Sequence, residues 1–164
     1  MNMHMNKYII SGTFLVLFVL GVTAWSVADT ETVPLEGKLR NTPVTVYKTP
    51  DCGCCDVYAR YLERSGIDTN IKDVSQQELT DLKEDNGIPR NLSSCHTSFV
   101  SDYFVEGHIP IDAINSLLSD QPDVSGIALP GMPSGTPGMP GPKHEEWVIH
   151  SVGHDGAVAE FMRI

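Results

Sequence analysis

Positive charge is scarce in this chain. Its 164 residues carry 11 Lys and Arg against 21 Asp and Glu, a formal charge of −10. A surface of that sign repels nucleic acid and anionic lipid, so neither is an expected partner. Cysteine is scarcer still. There are four, and three of them, Cys52, Cys54 and Cys55, fall within the stretch TPDCGCCDVYARYL, leaving Cys95 on its own. There is no internal repeat at domain scale and no general acid–base constellation. The length suits one modest domain rather than two.

Long apolar runs are also few. One runs uncharged from Tyr8 to Ala28 behind a single basic residue, Lys7, and ends in Ser26-Val27-Ala28 before Asp29. Small residues at those two positions predict a signal peptide over residues 1–28. The alternative is an uncleaved anchor, since about 20 apolar residues suffice to cross a bilayer. Either way the folded part is expected outside the cytoplasm, periplasmic or exported, touching membrane only through that segment if it is retained. Removing it takes away Lys7 and no acid, leaving ten basic side chains against 21 acidic ones. That balance is compatible with a cationic partner or a metal ion. Export also makes two structural disulfides the first alternative for an even number of cysteines.

Local patterning orders the rest. Residues 29–42 are polar and Pro-containing and read as a linker. VTVYK, Val44 to Lys48, predicts a buried strand. A helix follows the cysteines, with Val57, Tyr58, Tyr61 and Leu62 on one face and Gly66 as its stop. DTNIKDV predicts a second strand. Ser75 caps the next helix with Glu78 as capping-box partner, Leu79 and Leu82 facing inward, and Asn86-Gly87 ending it. Runs from His96 to Val100 and from Tyr103 to Ile109 flank Ser101-Asp102 as a hairpin. Pro110 opens a third helix with a stripe of Ile111, Ile114, Leu117 and Leu118. From Gln121 to Pro142 the chain is too rich in Gly and Pro for a regular element. The tail predicts a final hairpin turning near His154-Asp155-Gly156. Residues 43–120 thus form one α/β domain, and 121–164 a Gly/Pro/Met-rich loop and hairpin packed on it.

The order β-α-β-α-β-β-α, with Cys52-x-x-Cys55 between the first strand and first helix, is the thioredoxin-like arrangement. Cysteines at a helix N-terminus face unpaired backbone N–H groups and the positive end of the helix dipole. Both favour the thiolate, which is the nucleophile and the metal ligand alike. In such a fold the segment entering the third strand lies beside the CxxC and usually carries a cis-proline. Ser94-Cys95 is expected at that place, facing Cys52 and Cys55; Pro89 is the competing candidate.

The segments YKTPDCGCCDVYARYLERSGI, NLSSCHTSFVSDYFVEGHIP and ALPGMPSGTPGM, in that order, resemble the small periplasmic metal-binding proteins of the copper-resistance CopG type. The resemblance covers about residues 42 to 164. It implies a thioredoxin-like domain, export, and copper bound by Cys52, Cys54, Cys55 and Cys95.

Taken without the family, the four thiols leave three readings open. Two disulfides, Cys52–Cys55 and Cys54–Cys95, would staple little loop, because three of the cysteines lie so close in sequence. In a thiol–disulfide oxidoreductase Cys52 attacks and Cys55 resolves, but Cys54 then crowds the pair and Cys95 sits where substrate should dock. In a metal site all four are thiolates. Zinc fits poorly because adjacent Cys54 and Cys55 do not readily complete one tetrahedron, and an iron–sulfur cluster wants cysteines spread differently. Cu(I) prefers sulfur and tolerates low coordination with bridging thiolates, so more than one Cu(I) ion is expected. Together with the resemblance, this makes the expected role copper tolerance, by sequestering Cu(I) or by changing copper's oxidation state, alongside other exported copper-handling proteins.

Candidate secondary ligands are His96, His108, Met132 and Met139. Strand alternation should turn His96 to the face opposite Cys95. His108 stands at a helix start that commonly borders a thioredoxin-like active site. Met132 and Met139 share a Gly-Met-Pro context, and a thioether pair suits Cu(I) capture. His144, His150 and His154 read as solvent-facing. His4, Met1, Met3 and Met5 fall in the expected signal.

Overall fold

The computed structural model describes residues 38–164, so the expected signal segment and most of the linker lie outside the described residues. These residues form a mixed α/β fold on one seven-stranded sheet. β1 (Val44–Lys48) leads through α1 (Gly53–Arg64) to β2 (Thr69–Asp73), and α2 (Gln76–Asp85) leads to the hairpin of β3 (His96–Val100) and β4 (Tyr103–Glu106). α3 (Ile111–Asp120), β5 (Gly126–Ala128), β6 (Val148–Val152) and β7 (Val158–Arg163) complete the chain. The sheet order is β2-β1-β3-β4-β5-β6-β7. β1 and β2 are parallel, as are β4 and β5, and the remaining neighbours are antiparallel.

Short-range chemistry sets most element ends. Ser75 accepts the Glu78 N–H and Glu78 accepts the Ser75 N–H, so the capping box is complete. At the end of α1, Gly66 N–H bonds Glu63 O and Ile67 N–H bonds Leu62 O, the paired bonds that close a helix through a left-handed residue. Ser101-Asp102 forms the β3–β4 turn, with Ser101 at φ 51°.

Alternation along the strands splits the core in two. On one face Val44, Val46, Val105, Ile127 and Ile149 pack under Tyr58 and Leu62 of α1 and Ile114 and Leu117 of α3. On the other, Phe104, Ala128 and Val152 gather Ile88 and Leu92 beyond α2. The cysteines therefore stand at the end of the sheet where β1 runs out and β3 begins.

Four local expectations change. The inner stripe of α1 is Cys55, Tyr58, Ala59 and Leu62 at helical spacing, while Val57 is 43% exposed. In α2, Lys83 is buried beside Leu79, and Leu82 is only half-buried. Within the Gly/Pro-rich stretch a three-residue strand, β5, forms between β4 and β6. The last residues before β1 make a 3₁₀ turn, Lys38–Asn41, and Leu39 is fully buried in the core.

Candidate metal centre

Cys52 caps the N-terminus of α1 without a side-chain hydrogen bond, and Cys54 and Cys55 lie in its first turn. Lys48, buried at the end of β1, fastens that turn. Its ammonium meets Asp56 of α1 and Asp73 of β2, each at 2.9 Å. Cys52 and Cys55 are joined as a disulfide, and Cys54 and Cys95 are free. Cys54 Sγ lies 3.7 Å from Cys52 Sγ and 3.8 Å from Cys95 Sγ. Cys55 Sγ is 3.8 Å from the Cys95 carbonyl. All four sulfurs sit within 4.8 Å of one another, the residues being half-buried except for the fully buried Cys55.

Cys95 immediately precedes β3, in the place the sequence assigned it, and the described residues contain no cis peptide bond. Pro89 instead caps a short 3₁₀ turn, Arg90–Leu92, further back. Burial, with Cys54 adding to it, pushes the Cys95 thiol well above the ordinary cysteine range.

His96 does not turn away from Cys95. Because Cys95 lies outside the strand, alternation does not oppose the two residues, and His96 Nδ1 faces Cys95 Sγ at 3.5 Å. Its ring is fully buried, 4.6 Å from that of Tyr58 and 4.8 Å from that of His108. His96 Nε2 finds no hydrogen-bond partner. His108 completes the group, with Nε2 3.2 Å from Cys95 Sγ. Cys95, His96 and His108 thus form a second donor set within 4.8 Å, and Cys95 belongs to both.

The tautomer of His108 follows from its other contact. Nδ1 lies 2.7 Å from the Pro137 carbonyl, which can only accept, so Nδ1 carries the proton and the Nε2 lone pair points at Cys95. A carbonyl holding one imidazole nitrogen while the other stays free is the outer-shell arrangement of metal-binding histidines. No residue pattern signals this contact, since the acceptor is a backbone atom in a loop.

That loop is tied down rather than loose. Thr136 Oγ1 donates to Pro133 O, Ser134 Oγ donates to Pro140 O, and Met139 N–H donates to Thr136 O. Gly138, at φ 86°, lies against the first turn of α1. A β-carbon there would stand 2.9 Å from Cys54 O and Tyr58 N and 3.1 Å from His108 Nδ1. Met139 is next in the chain and half-buried, whereas Met132 is 38% exposed. Tyr58 closes the group from below, its hydroxyl donating to Ile109 O at 2.9 Å.

Burial holds His96 far below its ordinary pKa, and burial also lowers that of His108. The unfolded chain therefore takes up these protons first as pH falls. Stability of the reduced, metal-free protein is expected to be full above about pH 6.5 and to drop below it, by up to about 1.4 kcal/mol per pH unit for each histidine. Urea denaturation at pH 7.5, 6.0 and 5.0 checks this, and His96→Phe should flatten the slope. An unchanged slope in that variant would remove His96 as its source.

Once the Cys52–Cys55 bond is reduced, the donors fit a soft metal: four sulfurs, two imidazoles, one lone pair pre-aimed by Pro137, and one buried ring nitrogen without a partner. No helix among the described residues is long and apolar enough to cross a membrane.

Comparison with known proteins gives one family match and two similar structures. The profile of a family described as a protein of unknown function, DUF411, matches residues 92–139, which include Cys95, His96, His108, Met132 and Met139. Two solved structures are similar over most of the chain. One is titled copper resistance protein CopG, form 2, at 30% identity and a TM-score of 0.68, covering 75% of this chain and 98% of the other. The second, form 1 of a protein with the same title, has 30% identity and a TM-score of 0.65, covering 74% and 96%. No curated protein sequence matches significantly. With its cysteine cluster at 52–55 and 95, the chain belongs to the copper resistance protein CopG family.

Proposed function

We propose that this is an exported copper-binding protein of copper tolerance, holding more than one Cu(I) ion through Cys52, Cys54, Cys55 and Cys95 in a thioredoxin-like domain. The convergence of the four sulfurs carries this reading. Cys95 supports the plural, because a thiolate shared by two donor sets suits a bridge between ions. His108 and His96 then serve as nitrogen ligands on the Cys95 side, with Met132 and Met139 as thioether donors from the covering loop. The thioredoxin-like assignment rests on the strand order β2-β1-β3-β4 and on cysteines at the start of α1. Copper ions and other exported copper-handling proteins are the partners, and the periplasm is the expected compartment.

The disulfide adds a redox possibility to the same site. With Cys52–Cys55 closed, only Cys54 and Cys95 remain as thiols. Opening it takes two electrons and returns two sulfurs. In the opposite direction, two thiolates closing to a disulfide release two electrons, enough to reduce two Cu(II) to Cu(I). The protein would then act on copper as well as store it.

The closed Cys52–Cys55 bond also favours a second reading, a protein thiol–disulfide oxidoreductase. Copper loading separates the two. The full chain is reduced, reconstituted with Cu(I) without oxygen, and analysed for metal and for alkylatable thiols. More than one copper per chain with all four thiols protected is the expected result. Little copper, together with a reducible Cys52–Cys55 bond and strong insulin-reducing activity, would favour the oxidoreductase instead.

A further inference from the structure

On the opposite face of the sheet from the histidines lies a buried ion pair that this chemistry does not use. Glu106, the last residue of β4, is fully buried, and Lys83 of α2 is nearly so. Their side chains form a direct salt bridge. Both also reach the backbone of the same residue, Ser94, on either side of its α-carbon. Glu106 Oε1 accepts the Ser94 N–H, and Lys83 Nζ donates to Ser94 O at 3.2 Å. Glu106 Oε2 accepts the hydroxyl of Thr97 at 2.6 Å. Ser94 is the residue before Cys95, and Thr97 lies two beyond it. The segment that carries Cys95 is therefore gripped on both sides.

A buried ion pair is a poor way to gain stability, because desolvating two charges offsets much of their attraction. Here the polar atoms are spent on a particular backbone segment. Ser94 has no strand neighbour to satisfy its N–H and C=O, since β3 starts only at His96. Without Glu106 and Lys83 those groups would seek other partners and the segment would shift. Cys95 has little room to shift, standing 3.8 Å from Cys54 Sγ and 3.2 Å from His108 Nε2.

We propose that Lys83 and Glu106 are positioning residues that hold Ser94 from behind the sheet and so fix Cys95 against Cys54 and His108. The pair never touches the metal. It sets the distance between sulfurs that come from chain segments 41 residues apart. The proposal rests on the metal-site reading for its purpose, but its geometry can be tested without metal.

The test uses the protein with Cys52 and Cys55 replaced by serine, which leaves Cys54 and Cys95 as the two thiols. In a glutathione redox buffer these close to a disulfide while oxidised glutathione is reduced to two thiols. The equilibrium constant reports how well Cys95 is held against Cys54. Two variants are compared in that background. K83M/E106M removes both charges together, leaving no unpaired buried ion, and also removes the grip. K83M/E106Q removes the charges but keeps an amide oxygen that can accept the Ser94 N–H. The first is expected to lower the closure constant at least tenfold and the second to recover most of it. Cu(I) affinity, measured by chelator competition in the four-cysteine protein, should follow the same order. Equal closure constants in the parent and K83M/E106M would overturn the proposal.

Should K83M/E106M fail to fold, amide hydrogen exchange in the unaltered protein decides. A strongly protected Ser94 N–H is expected, and exchange at the rate of an exposed loop would refute the grip. If the protein binds no Cu(I) yet closure still depends on the pair, the positioning role stands and the copper reading falls.

Discussion

Cys95→Ser is expected to weaken Cu(I) binding more than any other single cysteine replacement, by well over 100-fold, and to lower the number of copper ions held. The argument is the sharing of one sulfur. Cys54 belongs to the four-sulfur set alone, whereas Cys95 belongs to that set and to the one with His96 and His108. Losing Cys95 thus strips a ligand from both sides at once. Outer-shell changes around metals usually cost about 10–100-fold in affinity, so loss of a bridging ligand should exceed that range. Cys54→Ser should also lower copper stoichiometry, but less, because Cys95 and the histidines remain. Chelator competition and metal analysis on the two variants give the comparison. Full copper loading in both would overturn the four-thiolate site. The same pair speaks to the rival reading, since a disulfide enzyme working through Cys52 and Cys55 should keep most of its insulin-reducing activity without Cys54.

Gly138→Ala should be the most damaging small change in the covering loop. It forces a side chain onto a backbone at φ 86°, costing about 1 kcal/mol. The new β-carbon also meets Cys54 O, Tyr58 N and His108 Nδ1. Two of those are backbone atoms of a packed helix and cannot swing aside, so overpacking adds about 1–3 kcal/mol. The loop can relieve the clash by lifting, which breaks the bond from His108 to Pro137 O and frees the ring. Gly131→Ala is the matched control. Its φ is 80°, but nothing lies within 4 Å of the added carbon, so it should show the backbone cost alone. Denaturant unfolding of the two variants measures the difference. Equal losses would mean that Gly138 is held only by its backbone angle and that the loop does not press on the site.

What could be read in the sequence is what short-range rules decide. Val44–Lys48 is a strand by its β-branched run, and the α2 cap follows from Ser75 and Glu78 alone. The three clustered cysteines implied a sulfur site at a helix start, and Cys95 joins them from just before β3. The rest depended on partners distant in sequence. β5 is three residues long and becomes a strand because β4 and β6 offer bonding edges on either side. Lys83 reads as a surface lysine until Glu106 appears 23 residues later. The orientation of His96 escaped because alternation holds only within a strand, and Cys95 lies one residue before β3 begins. For His108 the decisive atom is a proline carbonyl, which leaves no trace in side-chain patterning.

The sharp change in composition after Asp120 invites dividing the chain there, and the sheet denies it. β4 is an interior strand whose outer edge is covered by β5, and β5 in turn is covered by β6. A shorter protein ending at α3 would present Phe104, Val105 and Glu106 as a bare hydrogen-bonding rim, the kind of surface on which chains stack into aggregates. It would also lose the carbonyl that orients His108. Solubility and ligand geometry are therefore tied to the same stretch of chain, so the C-terminal region cannot be lost or exchanged as a module without the domain paying in both.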